Sequence, residues 1–293
     1  MSGNKLVQRR WPGAIGIMIG IALAASWFVL KPTSSAEPAR KTRPDRVGVA
    51  VAAVHGGPIE ASGTLREGQA WSAIKVPLAA AFLDARAKAA GSTDGISAIT
   101  ARERGWLRRA LTRSDNEAAS KLFWRMAGGR AHPKLGRAKL QAMLDRAGVG
   151  PIDVRVQFGT TVWGIEDAVR LYQRLAAGCL LSERDTSWLI EIMSRVQASE
   201  RWGVPEVVPG STAVAFKGGW GPDSHYRWLV EQIAIVGRGD DAKVIGVMAQ
   251  SARRARSLTD SSAFDAGTRL VKRHAARAVQ RPLQPTGGAQ PCA

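Results

Sequence analysis

The apolar positions of the chain first follow the two-residue period of β-strands. From residue 47 the stretch VGVAVAAV alternates in this way, HGG can turn the chain, and PIEAS can return as a second strand. After Trp71 the period becomes helical. Helices are predicted in SAIKVPLAAAFLDARAKAAG, ITARERGWLRRALTR, NEAASKLFWRMAGG, LGRAKLQAMLDRAGV, WGIEDAVRLYQRLAAG and SERDTSWLIEIMSRV.

The pattern then returns to strands in TAVAFKGGW, YRWLVEQIAIVG and AKVIGVMAQS, and SSAFDAGTRLVKRHAARAVQ follows as an amphipathic helix. The turns GPDSH and RGDD are too short for a crossover, so these strands must be antiparallel. We therefore predict an α/β fold of the α+β type. A five-stranded antiparallel sheet is built from both chain ends, an all-helical lobe lies against it, and chemistry is expected in the cleft between them.

The N-terminal region has a different pattern. Residues 1–13 are basic, and residues 14–30, AIGIMIGIALAASWFVL, form an uncharged run that is about long enough to cross a bilayer with its flanks. We expect a transmembrane signal-anchor with its basic end in the cytoplasm, although the small residues Ser34 and Ala36 leave cleavage after Ala36 open. In both cases the remainder is expected outside the cytoplasm.

Composition divides that remainder. Residues 31–46 are polar and Pro-rich, as in a linker, residues 47–280 hold the predicted strands and helices, and residues 281–293 have the composition of a disordered tail. Cys179 and Cys292 are far apart, and the second belongs to this tail, so we predict no disulfide. No cluster of metal ligands occurs, and neither a metal nor a cofactor is expected.

The formal net charge is +18. The basic residues gather near the ends of the chain, as in ARKTRPDR, and not in an interleaved basic and aromatic patch, so a nucleic-acid binder is not expected. The excess suits polyanionic surroundings such as cell-wall polymers or anionic lipid headgroups. A Ser-His-Asp hydrolase is not expected either, because the sequence has no G-x-S-x-G and its four histidines have no evident serine partner.

Three polar motifs interrupt the apolar pattern: SAIK, which starts at Ser72, SDN, which starts at Ser114, and KGG, which starts at Lys217. Each has a structural interpretation when taken alone. A serine can cap a helix and a lysine can reach solvent, and the S-x-x-K spacing also occurs at Ser2 and Lys5. The SDN motif can be an ordinary helix N-cap. Only the combination of the three motifs points to chemistry.

The physical argument for a reactive site starts from Ser72. A serine hydroxyl needs a base within hydrogen-bond reach to act as a nucleophile. Helical spacing of three places the amine of Lys75 beside it. A lysine becomes such a base when burial or a second cation disfavours its ammonium form. Lys217 could be that cation.

In this order, the three motifs resemble the signatures S-x-x-K, S-D-N and K-T-G of the penicillin-recognising serine enzymes, which are the class A β-lactamases and the D-alanyl-D-alanine peptidases. The order of strands and helices is similar too, and the resemblance covers nearly all of residues 47–280. It implies a β-lactamase/transpeptidase-like fold and an acyl-enzyme formed on Ser72.

The resemblance also implies roles for single residues. Ser114 would relay a proton toward the leaving nitrogen, and Asn116 would hold the acyl group or the lysine amine. The backbone N–H groups of Ser72 and Trp220 would form an oxyanion pocket, to which the start of the helix contributes. The small residue Gly219 would let the substrate backbone approach this strand edge.

The sequence departs from the family at Gly218, which replaces the hydroxyl residue that helps to bind the substrate carboxylate. Ser224, Tyr226 or Arg227 could supply a donor from the next turn. Specificity for the usual carboxylate-bearing substrate is therefore left open.

A second departure concerns release of the acyl group. Class A β-lactamases carry a Glu that activates the hydrolytic water, but the corresponding stretch DRAGVGPIDVRVQFGTT has none. Asp145 ends a helix pattern, Asp153 lies in an extended segment, and Glu166 belongs to the first turn of the next helix, where it is favoured at the surface. Because the two half-reactions use different proton acceptors, we predict acylation followed by slow deacylation.

These observations predict an extracytoplasmic serine hydrolase that forms an acyl-enzyme with a β-lactam or a peptidoglycan-type peptide amide. The alternative is a non-catalytic cell-wall peptide-binding protein on the same scaffold, which Gly218 and the missing Glu favour and the retained Ser72 and Lys75 oppose. The membrane is expected as a partner through residues 14–30, nucleic acid is not, and the oligomeric state stays open.

Overall fold

The structure is a computed structural model, and it describes residues 44–223, 227–257, 260–283 and 292. Its strands are β1 (Arg46–Ala53), β2 (Glu60–Gly63), β3 (Glu67–Gln69), β4 (Val162–Gly164), β5 (Val214–Pro222), β6 (Arg227–Val236) and β7 (Lys243–Arg254). Its helices are α1 (Lys75–Ala90), α2 (Gly95–Ala98), α3 (Ala101–Thr112), α4 (Asn116–Ala127), α5 (Pro133–Arg146), α6 (Ile165–Ala176), α7 (Glu183–Ser194) and α8 (Ser262–Gln280). Apart from the short α2, β3 and β4, each element overlaps a segment for which the sequence predicts it, and several extend one to three residues beyond that segment.

The main sheet joins the two ends of the domain. Its five strands have the order β2-β1-β7-β6-β5, and all neighbouring strands are antiparallel. β1 pairs with β7 from Arg46 opposite Gln250 to Ala53 opposite Lys243. The predicted fold class is therefore confirmed. β5, which carries the KGG motif, is an edge strand of this sheet.

Helices cover both faces of the sheet. On one face α8 approaches β6 so closely that a Cβ on Gly267 would lie 2.5 Å from the side chain of Val230. On the other face α6 meets β7 at Gly246, where a Cβ would lie 2.7 Å from Val169. Glycine permits both close approaches. The helical lobe continues from this second face and holds the SAIK and SDN motifs.

α1 is the buried helix of that lobe. Its first nine residues, 75–83, are all buried, as expected for a helix that is apolar on every side. Pro77 lies in the first turn, where its missing N–H is tolerated. Gly91 ends the helix in the left-handed conformation with a φ of 61°. Lys75 therefore lies at the start of the buried half of this helix.

A second, two-stranded sheet was not predicted. Three residues of β3 pair with three of β4, and Gly68 lies opposite Trp163. Segments of this length show no clear period, so the sequence could not indicate them. This small sheet leads directly into the residues around Ser72, and it packs on the main sheet where a Cβ on Gly68 would lie 2.4 Å from Leu229.

Cys179, in the turn after α6, forms a disulfide with Cys292. The backbone oxygen of Cys292 also accepts a hydrogen bond from Arg174 of α6 at 2.8 Å. The prediction of unpaired cysteines is therefore wrong. The two cysteines are 113 residues apart, and only the folded chain decides which distant segments meet.

Loss of this disulfide is expected to lower stability. Replacing Cys292 with serine should reduce the free energy of unfolding by about 2–4 kcal/mol, because the crosslink no longer restricts the unfolded chain. Denaturant unfolding of the oxidised proteins measures the difference. The Cys179→Ser variant should lose the same amount, and the double variant no more. A further loss on adding a reducing agent to the Cys292→Ser variant would contradict this explanation.

The predicted anchor of residues 14–30 lies outside the described residues. Within the described ranges, no helix is both long enough and apolar enough to cross a membrane.

Candidate active site

Ser72 lies in a short 3₁₀ turn, Trp71–Ile74, that leads directly into α1. The chain enters this turn through Trp71, whose φ of 43° is in the left-handed region, an uncommon conformation for a bulky residue. No side chain caps the turn or the helix behind it. Ser72 is therefore not a helix cap, and its hydroxyl lies beside the amine of Lys75.

The amine of Lys75 is the centre of the site. Its Nζ lies 3.0 Å from Oγ of Ser72, 2.6 Å from Oδ1 of Asn116 and 2.5 Å from the backbone oxygen of Ser114. The last two oxygens can only accept hydrogen bonds, so they take the two N–H protons of a neutral amine. The lone pair of that amine is then left for the hydroxyl proton of Ser72.

Burial decides the charge of the two lysines, each of which is only 2% exposed. It lowers the pKa of Lys75 well below the usual value, and the charge of Lys217 lowers this pKa further, whereas Glu200 and Asp115 raise it by less. Burial also lowers the pKa of Lys217, to about 8, against the carboxylates of Glu200 and Glu231. At neutral pH we therefore assign the neutral amine to Lys75 and the ammonium to Lys217.

Ser114 connects the two lysines. Its Oγ accepts a hydrogen bond from Nζ of Lys217 at 2.9 Å and lies 3.4 Å from Nζ of Lys75. A second bond, from Nζ of Lys217 to the backbone oxygen of Gly218 at 2.7 Å, fixes the ammonium group. Because the Ser114 oxygen accepts from Lys217, its own proton is free to point toward a bound substrate.

The SDN motif is both a helix cap and part of the site. Asp115 is the N-cap of α4 and accepts a hydrogen bond from the backbone of Ala118 at 2.9 Å and another from Arg109 at 3.0 Å. Its neighbours Ser114 and Asn116 both contact the amine at the centre of the site. Ser114 adopts a φ of 55°, a left-handed conformation that is uncommon for a non-glycine residue.

Gly219 lies where β5 passes the turn that carries Ser72. A Cβ at this position would lie 2.6 Å from the backbone oxygen of Ala70 and 3.1 Å from the backbone nitrogen of Ser72. The close approach therefore requires glycine. It brings the backbone nitrogen of Ser72 close to the strand that continues into Trp220, the two residues from which the oxyanion pocket is predicted.

The space beside Gly218 is filled by Trp202. A Cβ on Gly218 would lie 2.5 Å from the indole ring, so a hydroxyl residue cannot stand at this position unless the ring moves. The ring also makes an edge contact with Phe264, with centroids 5.8 Å apart. The sequence alone explains neither the glycine nor the tryptophan, because Trp202 comes from an irregular segment before β5.

Of the donors suggested as substitutes for that hydroxyl, Arg227 is already paired. Its Nε and Nη2 both donate to Oδ2 of Asp223, at 2.9 Å and 2.7 Å. A guanidinium held in this way has much of its charge neutralised. Ser224 and Tyr226 lie outside the described residues.

The carboxylates weighed as substitutes for the missing base are all bound at the surface. Among the described residues, no hydrogen bond or ion pair links any of them to the nucleophile or its lysine. Glu166 is half exposed, as expected for a first-turn residue. Their partners are Arg66 for Glu166, Arg137 for Asp153 and Gln141 for Asp145.

Sequence reasoning missed two acidic residues near the lysines. Glu200 ends the 3₁₀ turn Ala198–Glu200 and is half-buried, and Glu231 lies in β6 and is fully buried. The signal for Glu231 was present, since two consecutive polar residues, Glu231 and Gln232, interrupt an apolar strand. Glu200 has no comparable signal.

Comparison with known structures finds proteins of similar fold. Solved structures of similar fold include the TLA-1 extended spectrum β-lactamase, with 19% identity, a TM-score of 0.62 and coverage of 82% of this chain and 93% of that chain. A class A β-lactamase from Mycobacterium abscessus has 17% identity and a TM-score of 0.60, with coverage of 81% and 95%. A mutant of PBP-A, solved as an acyl-enzyme complex with penicillin G, has 18% identity and a TM-score of 0.60, with coverage of 80% and 89%.

None of the curated proteins compared with the chain matches it. A family model described as the β-lactamase enzyme family matches residues 99–275, which is more than half of the chain. This match includes the SDN and KGG motifs, and the SAIK motif lies before it. The chain therefore belongs to the β-lactamase enzyme family.

Proposed function

We propose that the protein is an extracytoplasmic serine hydrolase that forms an acyl-enzyme on Ser72 with a β-lactam or a peptidoglycan-type peptide amide. The observation that carries this proposal is the buried amine of Lys75, 3.0 Å from Oγ of Ser72. The PBP-A mutant of similar fold, whose acyl-enzyme was formed with penicillin G, supports a β-lactam as one acyl donor.

Acylation follows from the positions of the protons. The neutral amine of Lys75 takes the hydroxyl proton of Ser72 as Oγ bonds to the substrate carbonyl carbon. The carbonyl oxygen becomes an oxyanion beside the N–H groups of Ser72 and Trp220. When the C–N bond breaks, Ser114 donates its proton to the leaving nitrogen and recovers one from Lys75. Lys217 remains an ammonium group and stabilises the negative charge.

Deacylation is proposed to be slow. A water must attack the acyl group after losing a proton, and in the described residues no hydrogen bond or ion pair places a carboxylate against Ser72. Lys75 has by then passed its proton on and is the remaining base. A single base that serves both half-reactions is less effective than two bases with separate positions.

The disulfide between Cys179 and Cys292 supports a location outside the cytoplasm. Structural disulfides form and persist in oxidising compartments and are rare in the reducing cytoplasm. The proposed anchor at residues 14–30 would place the domain in such a compartment.

The proposal is tested by the mass of the full-length protein, purified in detergent, during incubation with a penicillin. We expect a mass increase equal to one penicillin, located on Ser72, that decays over many minutes. Rapid return to the unmodified mass would show efficient hydrolysis and contradict slow deacylation. No adduct, together with no cleavage of D-Ala-D-Ala peptides, would contradict the enzymatic proposal and favour a peptide-binding protein.

Two serine variants serve as matched controls. Ser72→Ala should form no adduct, because the attacking oxygen is removed. Ser2→Ala changes the other serine of the chain's N-terminal S-x-x-K spacing and should react like the wild type. An adduct on the Ser72→Ala protein would place the nucleophile elsewhere.

The rate of acylation is expected to depend on pH with a maximum. The rate should fall at low pH as Lys75 becomes protonated, because its lone pair is then lost. It should also fall as the pH rises through about 8, where Lys217 loses its proton and its positive charge. Rates of adduct formation from pH 5 to 10 measure both limbs. A rate that keeps rising above pH 9 would contradict the role of Lys217 as a cation.

A further inference from the structure

Glu231 is a carboxyl group buried directly behind the candidate active site. It lies in β6 opposite Gly219 of β5 and Met248 of β7, and its exposed fraction is 0%. Lys217 lies opposite Ile233, two residues further along β6. Side chains two residues apart on a strand share a face, so Glu231 and Lys217 are diagonal neighbours on the same face of the sheet.

One oxygen of Glu231 has a defined partner. Its Oε2 accepts a hydrogen bond from Nε1 of Trp163 at 3.1 Å, and this indole is only 1% exposed. Trp163 is the central residue of β4. The carboxyl therefore links the small two-stranded sheet to the main sheet through a buried hydrogen bond, beside the packing of Gly68 on Leu229.

That small sheet leads into the turn that carries Ser72. Trp163 lies opposite Gly68 of β3, and the chain from β3 reaches Ser72 within a few residues. The backbone N–H of Ala70 donates to the backbone oxygen of Thr161 at 2.8 Å and continues the pairing to the start of the 3₁₀ turn. A displacement of the indole would therefore move the segment in which the hydroxyl of Ser72 is placed.

The other oxygen of Glu231 has no hydrogen-bond partner among the described residues, and neither has the buried hydroxyl of Tyr172 on α6. Burial raises the pKa of Glu231 well above its usual value, while the indole and Lys217 oppose this rise. Lys217 and Tyr172 are the titratable groups that interact with it, and Met248 and Trp163 are its uncharged neighbours on the other sides.

Stability alone does not explain a glutamate here. A buried polar atom without a partner costs free energy, and a glutamine could accept the same bond from Trp163 without carrying an ionisable group. The ammonium of Lys217 and the bond from Trp163 favour the ionised form of Glu231 against the effect of burial on its pKa. What a glutamine cannot provide is this negative charge facing Lys217.

We propose that Glu231 is a positioning residue of the active site, which holds the Ser72 segment through Trp163 and favours the ammonium form of Lys217 from the buried side of the sheet. This inference rests on the proposed function, in which Lys217 acts as a cation. It assigns a role to a carboxyl group that takes no part in the acylation steps.

The electrostatic half is tested by Glu231→Gln in the full-length protein. This variant keeps an oxygen for Trp163 and removes the charge. The titration of Lys217, followed by NMR of ¹³C-labelled lysine and assigned with Lys217→Arg, should move to lower pH by about one unit. The alkaline limb of the reaction of Ser72 should move with it. An unchanged titration would overturn the proposal.

The positional half is tested by Trp163→Phe, which keeps the carboxyl and most of the buried volume. The probe is a fluorophosphonate, which bonds to Oγ of Ser72 with loss of fluoride. We expect labelling about tenfold slower than in the wild type. The matched control is Trp188→Phe, at a partly buried tryptophan of α7, which should react like the wild type. Labelling of Trp163→Phe at the wild-type rate would overturn the proposal. This experiment does not depend on Glu231→Gln, so it tests the proposal even if that variant does not fold.

These measurements separate the inference from the proposed function. The lysine titration needs no substrate, and the fluorophosphonate needs no penicillin recognition. A protein that forms no penicillin adduct but shows both expected changes would fail the proposed function and retain the role of Glu231. A protein that forms the penicillin adduct but shows neither change would support the proposed function and contradict the role of Glu231.

Discussion

Replacing Lys75 with methionine is expected to slow acylation of Ser72 by about a thousandfold. Methionine has a similar length and suits the buried surroundings of this side chain, but it offers no lone pair that can take the hydroxyl proton. It also removes the donors to Asn116 and to the backbone oxygen of Ser114. The measurement is the rate of penicillin adduct formation, followed by mass spectrometry at pH 7.

The matched control is a second lysine of the same helix. Lys88 lies in the last turn of α1, is 69% exposed and pairs with Asp84 at the surface. Lys88→Met should therefore react at the wild-type rate. If Lys75→Met forms the adduct at a rate within a few-fold of the wild-type rate, the assignment of Lys75 as the base is contradicted.

Adding one methyl group at Gly219 is expected to slow acylation by about a hundredfold. The new Cβ would lie 2.6 Å from the backbone oxygen of Ala70 and 3.1 Å from the nitrogen of Ser72. Backbone atoms must then move by several tenths of an ångström, and displacements of this order in an active site reduce rates steeply. Overpacking should also lower the free energy of unfolding by about 1–3 kcal/mol. Adduct formation and denaturant unfolding measure the two effects.

Gly218 provides the control for this prediction. The three atoms nearest to its Cβ would all belong to the Trp202 ring, and this side chain is partly exposed and can turn away. Gly218→Ala should therefore acylate much faster than Gly219→Ala. Equal acylation rates in the two variants would contradict this explanation. Contact with the backbone around Ser72 would then not be the reason for glycine at position 219.

The elements of the fold were predictable where a period extends over many residues. The strands of the main sheet alternate or are continuously apolar, and α3 to α8 each show a helical face. The short β3 and β4 were not predictable, because three residues cannot define a period. Their position still matters, since Trp163 and the residues before Ser72 belong to them.

The residues of the candidate site were predictable because each lies in a motif whose spacing reflects geometry. Helical spacing places Lys75 beside Ser72. In the SDN motif, Ser114 and Asn116 flank the helix cap Asp115, and both contact the amine of Lys75. The structure brings Lys217 to the same place from the other end of the chain. That meeting is a property of strand order, which the sequence suggests only through the resemblance.

The residues around these motifs were not predictable. Trp202 reaches Gly218 from an irregular segment, and Cys179 meets a cysteine near the C-terminus. Glu231 is a partial exception, because a charged residue in the middle of an apolar strand is a visible anomaly. Its partner across the sheet is fixed by register, and register is not readable from one sequence.

The pairing of β1 with β7 has a consequence for biogenesis. Until the chain has been synthesised as far as residue 250, β1 and β2 form only a two-stranded hairpin, which is marginal in water. Sheets closed by such distant segments fold slowly. Chains that end before β7 lack the strand through which β6 and β5 join β1. Lys217 would then not be held beside Ser72, so a covalent serine reagent would mark only completed molecules.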